Sequence, residues 1–373
     1  MSTAVGVLLS LSATMGNGVG YILQKLAHRR VDEAAEAASA RAAGEARDGP
    51  VPSSASAAPA PALPFWRYWQ FVVGLLCCVA AAGLDVASYG FAAQSQLGPI
   101  GATTLVWVAL LSWRVLKERF TRLDALATGL MLTGTIVALA SSASVPADDF
   151  DLNGILAKLQ RPVVGVYLGV AGAAGGLGAL AIARWSRSSP HALPPREMAA
   201  DAVARPLVAG LLAGSTGLNV KAFVTIINAA SREHSAADFR RVQPYVFFVA
   251  LVSSLVLQLS FLNSGLARYD ANRIVPVYQI TLVFCQVATG WICWGEAASQ
   301  SATSLAFFGV GIALSCAGIG VLSLKPAAAP PPPSDAALAA AAAAAGAGAP
   351  AMQLGVLAPR SESKKPLLAD ALA

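Results

Sequence analysis

Nine apolar runs, each close to 20 residues long, limit most strongly how this chain can fold. They cover 4–26, 69–93, 99–116, 123–143, 162–184, 205–229, 244–266, 274–295 and 302–324. About 20 apolar residues let a helix cross the hydrocarbon of a bilayer, where the backbone has no water to bond. Only 12% of the 373 residues are charged, which argues against a soluble domain. The sequence therefore predicts an all-α polytopic membrane protein with nine transmembrane helices, called spans 1 to 9 below.

The basic residues indicate how the spans are oriented. The connections 27–67, 114–122, 184–205 and 267–273, the C-terminal tail and Lys25 together hold 20 of the 26 Lys and Arg residues. Because cytoplasmic loops carry the excess of Lys and Arg, we expect the N-terminus outside or in a lumen and the C-terminus in the cytosol. The plasma membrane and the endomembranes both stay open as locations. The net charge of +6 follows from this distribution, so nucleic acid is not an expected partner.

An internal repeat divides the chain. The segments "LGPIGATTLVWVALLSWRVLKERF" (97–120) and "IVPVYQITLVFCQVATGWICWGEA" (274–297) share a proline and a Thr-Leu-Val motif at the same offset. In both, a Trp precedes a terminal glutamate, Glu118 or Glu296, with one residue of slippage. If spans 3 and 8 correspond, spans 1–4 repeat as spans 6–9 around span 5, and the odd offset inverts the second half. Inverted repeats are typical of secondary transporters.

The repeat defines the predicted domains, a drug/metabolite transporter-like 4+1+4 arrangement. They are helix 1 (1–26), helices 2–4 of the first repeat (68–143), the linking helix 5 with its flanking loops (144–202) and the second repeat, helices 6–9 (203–325). The segments 27–67 and 326–373 are rich in Ala, Pro, Ser and Gly. We expect both to be disordered and cytosolic.

Two ionisable side chains lie well inside the spans. Asp85 comes 16 residues after Trp69, and Lys221 comes 15 residues after Pro206, so both reach a similar depth. A carboxylate inside a bilayer costs about 2.5–3.5 kcal/mol, and an opposite charge at equal depth lowers that cost. We hypothesise that Asp85 and Lys221 face each other between the repeats. The alternative is that each side chain extends separately toward the membrane surface.

Amide side chains inside the spans are candidates for a hydrated path. They are Asn17, Gln24, Asn219, Gln258, Asn263, Gln279 and Gln286. Each could instead join two helices, an interaction worth about 0.6 kcal/mol. We predict a substrate pathway lined by Asp85, Lys221, Asn17, Asn219, Gln258, Asn263 and Gln279.

Three segments carry a family resemblance. They are "YGFAAQSQLGPIGATTLV" (89–106) with "LKER" (116–119), "GSTGLNVKAF" (214–223) and "QLSFLNSGLARYDANRIVPVY" (258–278). Over roughly residues 4–324, apart from the first loop, the chain resembles NIPA-type magnesium transporters of the drug/metabolite transporter superfamily. That family has nine spans and an extracellular N-terminus. Where it usually places a Glu in span 2, this chain has Ala82, and Asp85 lies three residues further along the same helix face.

The resemblance implies a carrier of a divalent cation, with Mg²⁺ as the expected substrate, alternating access between the repeats, and Asp85 as the metal-binding residue. Mg²⁺ binds few carboxylates and keeps much of its water, so one Asp suffices if Lys221 does not neutralise it. An organic-solute carrier of the same superfamily and a membrane scaffold without transport are the alternatives. No cofactor is expected beyond Mg²⁺ as substrate, and a homodimer is left open. We do not expect an enzyme, because no nucleophile set, metal cluster or phosphate loop is recognisable.

Overall fold

The computed structural model describes residues 2–48, 68–117, 119–142, 150–187, 193–234, 237–269 and 271–324. Its helices are α1 Ser2–Asp48, α2 Trp69–Ser88, α3 Gln94–Val115, α4 Arg122–Ser141, α5 Leu152–Leu159, α6 Pro162–Trp185, α7 Pro195–Arg232, α8 Gln243–Leu266, α9 Ala271–Thr289 and α10 Ala302–Ser323. A π-turn, Gly290–Trp294, continues α9 and is followed by a 3-10 turn, Glu296–Ser299. Another 3-10 turn, Ala237–Arg240, precedes α8.

Among the described residues, nine helices are long and apolar enough to cross a membrane, which confirms the predicted number of spans. Helices α1–α4 are spans 1–4, α6 is span 5, and α7–α10 are spans 6–9. An odd number of spans places the two ends of the bundle's chain at opposite faces. We call the face where α1 begins the N-face and the face where α10 ends the C-face.

Two predicted boundaries are wrong. The sequence predicts disorder over 27–67, but α1 continues to Asp48, because this stretch is rich in Ala, the strongest helix former. Span 2 is predicted to reach residue 93, but α2 ends at Ser88, whose hydroxyl donates to the carbonyl oxygen of Asp85 at 2.6 Å. Residues 49–67 and 325–373 and Glu118 lie outside the described residues. The spans belong to one compact unit, and residues 34–48 belong to a second.

Side-chain caps fix the start of several helices. Thr121 and Asp124 form a capping box at α4, and the Asp151 side chain accepts from the backbone N–H of Gly154 at α5. These bonds satisfy N–H groups that have no partner in the first turn of a helix. Both caps lie in connections, where they set the points at which the chain re-enters the bundle.

The contacts between α1 and α3 recur between α7 and α9. A Cβ built on Gly18 would lie 2.7 Å from the Cβ of Trp107, and one built on Gly214 would lie 2.6 Å from the Cβ of Cys285. The residue numbers differ by 196 on the first helix of each pair and by 178 on the second. Equivalent positions in the two halves therefore make equivalent contacts.

A second pair of contacts follows the same two offsets. The Thr103 hydroxyl donates to the Thr14 hydroxyl at 3.0 Å, and a Cβ built on Gly210 would lie 2.5 Å from the Cβ of Thr281. This register sets Thr103 opposite Thr281, one residue away from the alignment of the Thr-Leu-Val motifs. The contacts support the predicted repeat and absorb the slippage seen in its sequence.

Helices α4 and α10 meet through equivalent residues. A Cβ on Gly134 would lie 2.5 Å from the carbonyl oxygen of Gly311, and a Cβ on Gly311 would lie 2.7 Å from that of Gly134. Gly134 also meets Ser315, and Gly311 meets Ala138, which are related by the same offset of 177. Reciprocal contacts of this kind are expected at a two-fold axis. Small residues here allow two backbones to approach closely.

This close approach makes Gly134 intolerant of a side chain. We expect Gly134→Ala to lower the melting temperature of the purified protein in detergent, because overpacking costs about 1–3 kcal/mol. Gly129 lies on the same helix with no atom within 4 Å of a built Cβ, so Gly129→Ala is the matched control. Equal melting temperatures for the two variants would contradict the packing described.

Candidate functional site

Asp85 lies in the last turn of α2, near the N-face. Its side chain is half-buried, and Oδ1 accepts a long hydrogen bond of 3.4 Å from the hydroxyl of Ser10, which is buried on α1. The carboxylate is therefore directed toward α1. A bond of this length is weak, so the carboxylate keeps much of its capacity to accept.

Lys221 lies on α7 and is 1% exposed. Its ammonium donates to the carbonyl oxygens of Tyr89 at 2.9 Å and Ala92 at 2.8 Å. Among the described side chains, no ion pair joins Lys221 to Asp85, so the predicted pairing is wrong. The reason is the early end of α2, because the carbonyls that follow Ser88 have no helical partner and attract a cation.

The turn that Lys221 binds is buried at the depth of the membrane. We call Tyr89–Ala93 the buried turn, and its residues Ala92 and Ala93 and the following Gln94 are all 0% exposed. Non-helical backbone at membrane depth is tolerated only inside protein or along a water-filled cavity. The turn therefore depends on partners from neighbouring helices.

Glu296 satisfies the other side of the buried turn, where α3 begins. Its carboxylate is 4% exposed and accepts from the backbone N–H groups of Gln94 at 2.7 Å and Ser95 at 2.8 Å. An anion at a helix N-terminus is favoured by the unpaired N–H groups and the helix dipole. Gly295, with φ of 77°, reverses the chain and brings Glu296 to this position, a conformation that favours glycine.

Three further side chains connect these charges. The Gln94 amide donates to Gln286 Oε1 at 2.7 Å and accepts from the Trp294 indole N–H at 2.7 Å. The Gln286 amide in turn donates to the Tyr89 hydroxyl at 3.0 Å. We define the N-face cluster as Tyr89, Gln94, Lys221, Gln286, Trp294 and Glu296. The first repeat supplies its turn and the second repeat supplies the other four side chains, so the cluster joins the two halves.

Basic residues at the N-face have a structural role. Arg161, at the start of α6, donates to the carbonyl oxygens of Ile292 at 2.9 Å and Cys293 at 2.5 Å. Lys158 donates to the carbonyl oxygen of Trp294. Cations at the C-terminal end of a helix bind its unpaired carbonyls. Two of the few basic residues on this side thus hold the π-turn that precedes Glu296.

The other predicted pathway residues are not collected at one point. Gln258 accepts from Thr216 and donates to the Tyr278 hydroxyl, and Gln279 donates to the carbonyl oxygen of Gly101 at 3.3 Å. The list of remaining residues is short: the Asn219 amide bonds its own helix at Ser215, Asn17 is half-buried, and Asn263 is exposed. Most of the intramembrane amides thus join helices.

A second buried polar group lies toward the C-face. Arg205 forms an ion pair with Asp201 at 2.8 Å and donates to the hydroxyls of Ser264 and Ser186. The Tyr269 hydroxyl donates to the second Asp201 oxygen at 2.7 Å. Burial, reinforced by the Asp201 carboxylate, raises the pKa of Tyr269 to about 12, so the hydroxyl stays a donor at neutral pH. The group ties α6, α7 and the end of α8 together.

Cation binding at Asp85 must rely on few charges. Within the described part of the chain, no three His, Cys, Asp or Glu side chains are grouped so that they could hold a metal ion. A cation at Asp85 would therefore keep most of its water or use neutral oxygens such as Ser10 Oγ, as Mg²⁺ does in sites with one or two carboxylates.

Sequence reasoning missed the role of Glu296. It noted Glu296 only as a mark of the repeat, although a Gly-Glu pair after an apolar run was a signal for a chain reversal that carries a charge. Gln286 was noted as an amide, but its partners were not predicted. The structure thus places the cluster at the turn between spans 2 and 3 and not around Asp85.

Comparison with known proteins gives a consistent result. The family model described as "Magnesium transporter NIPA" matches residues 1–325. A protein of Candida albicans named "Probable magnesium transporter" is 20% identical over 321 residues, 86% of this chain and 78% of its own length. "Probable magnesium transporter NIPA8" of Arabidopsis thaliana is 24% identical over 70% of this chain and 58% of its own length. "NIPA-like protein 2" of Homo sapiens is 24% identical over 60% and 54%. No solved structure gives a significant match.

The Glu296 cap can be tested by stability. Glu296→Ala leaves two buried N–H groups without an acceptor, each costing about 1–3 kcal/mol, whereas Glu296→Gln keeps one neutral acceptor. We expect melting temperatures in the order parent, Glu296→Gln, Glu296→Ala. Glu233→Gln, which removes an exposed carboxylate after α7, is the control and should match the parent. A Glu296→Ala protein as stable as Glu233→Gln would refute the cap.

Proposed function

Because the chain belongs to the NIPA magnesium transporter family, we propose that it moves Mg²⁺ across a membrane by alternating access between its two repeats. It is a membrane transporter for a divalent cation. The observation that carries this is the family match, which extends over all nine spans. The names of the relatives in a fungus and a plant point to the same substrate.

The proposal includes an orientation. The N-face is outside or lumenal and the C-face is cytosolic, because the connections at the C-face hold most of the Lys and Arg residues. Lys158 and Arg161 are exceptions on the N-face, and their bonds to the carbonyls of the π-turn account for them. The distribution of charge and the local contacts therefore support the same arrangement.

Asp85 is the proposed cation ligand. Because the Lys221 ammonium is bound by two carbonyl oxygens, it is not available to neutralise Asp85 by direct pairing. Asp85 also contacts α1 through Ser10, at a boundary between helices where a partly hydrated ion can be held. One carboxylate with neutral oxygens suits Mg²⁺, which loses its water reluctantly.

The N-face cluster supports a closed N-face in this structure. Four side chains of the second repeat bind the turn of the first repeat there, so the two halves cannot separate at this face without breaking those bonds. In an alternating-access cycle the halves separate at one face while they close at the other. Release of the buried turn is thus the proposed step that opens the N-face.

The proposed ligand is tested by uptake of Mg²⁺ in a host that lacks its own magnesium import. The parent protein should restore growth at low Mg²⁺, and Asp85→Asn should reduce the initial uptake rate about tenfold or more, since a charged contact is worth about 1.5–3 kcal/mol. Asp85→Glu should recover part of the rate, and Glu233→Gln should match the parent.

The controls separate the site from the substrate. Variants are compared at equal amounts of protein in the membrane, and excess Mn²⁺ or Ca²⁺ is added to measure selectivity. Growth rescue by Asp85→Asn equal to that of the parent would reject the assigned ligand. A parent protein that is present in the membrane but gives no Mg²⁺ uptake would reject the substrate.

A further inference from the structure

The repeat relates Lys221 to a second lysine. The contacts of α1 and α7 are related by an offset of 196 residues, as the pairs Gly18 with Gly214 and Thr14 with Gly210 define it. Lys221 lies on α7, and the residue 196 positions earlier is Lys25 on α1. Because the repeats are inverted, Lys221 lies toward the N-face and Lys25 toward the C-face.

The carbonyls that Lys221 binds also have a counterpart. Tyr89 is the C-cap residue of α2, and Ala267 is the C-cap residue of α8, both in the right-handed helical region. Their numbers differ by 178, which is the offset that relates the contacts of α3 to those of α9. The end of α8 thus presents to the C-face what the end of α2 presents to the N-face.

The two lysines are in different surroundings. Lys221 is 1% exposed and bound to the carbonyl oxygens after α2, whereas the Lys25 side chain is exposed. Equivalent residues in equivalent helices would share an environment if the two halves had the same arrangement. The difference matches a state in which the N-face is closed and the C-face is not.

We infer that Lys25 is the C-face counterpart of Lys221: when the C-face closes, its ammonium binds the carbonyl oxygens at the end of α8, beginning with that of Ala267. The inference rests on the proposed alternating-access function. Lys221 and Lys25 then hold opposite faces in turn, each acting as a positioning residue that closes one face. A cation at the unpaired carbonyls of a helix end is favourable at either face.

The experiment measures how often the N-face opens. Ser95 is 0% exposed beside the buried turn, so a cysteine there reacts with a membrane-impermeant maleimide only when that face opens. The five native cysteines are replaced by alanine, and Ser95→Cys is the reporter in the full chain. The labelling rate from the N-face is then measured in intact cells and compared between lysine variants.

Opposite effects are expected from the two lysines. Lys221→Met should raise the labelling rate about tenfold, and Lys25→Met should lower it about tenfold, because each removes charged bonds from one of two competing states. The double variant should return toward the reporter alone, and Lys25→Arg should keep the reporter's rate. Arg29→Met removes another exposed cation of α1, one turn further on, and is the matched control.

Each outcome decides the inference. A Lys25→Met rate equal to that of Arg29→Met, or a rise in the rate, overturns it, provided that the variant has the melting temperature of the reporter protein. A variant with a lower melting temperature is replaced by Lys25→Gln, and the same comparison applies. Labelling does not depend on the cargo. Absent Mg²⁺ uptake with the expected labelling shifts would therefore reject the substrate alone, and normal uptake with unchanged labelling would reject the inference alone.

Discussion

A turn of backbone buried in a membrane protein must have its N–H and C=O groups bonded, and this requirement organises the N-face half of the structure. The ammonium of Lys221 binds carbonyls after α2, and the carboxylate of Glu296 binds N–H groups at the start of α3. Opposite charges thus complement opposite helix ends. Since both charges belong to the second repeat and the turn belongs to the first, the same bonds that satisfy the backbone also join the halves.

This arrangement separates two uses of charge within the spans. Lys221 and Glu296 are fully engaged by backbone groups, whereas Asp85 has a single long hydrogen bond from Ser10 among the described residues. A carboxylate that is not consumed by a structural cation can bind a transported one. The family of magnesium transporters to which the chain belongs gives that carboxylate a substrate.

The centre of the bundle is built differently from its faces. At the centre, Gly134 and Gly311 bring α4 and α10 into backbone contact, and equivalent residues meet each other. Such a contact is the same for both halves and has no polar bond to break. The faces instead carry specific polar bonds, such as those of Lys221. A dry, symmetric centre and exchangeable polar ends are what a rocking motion between two repeats needs.

The sequence by itself determined the number of spans and most of their limits: the run 162–184, for example, is α6, Pro162–Trp185. It could do so because bilayer thickness fixes the length of an apolar helix. The tertiary structure alone decided which groups Lys221 and Glu296 bind. Those partners depend on where α2 stops, and hydropathy does not detect a break at Ser88 when the residues beyond it are still apolar. Five residues of turn in place of helix expose carbonyls, and these bind the lysine that the sequence had assigned to Asp85.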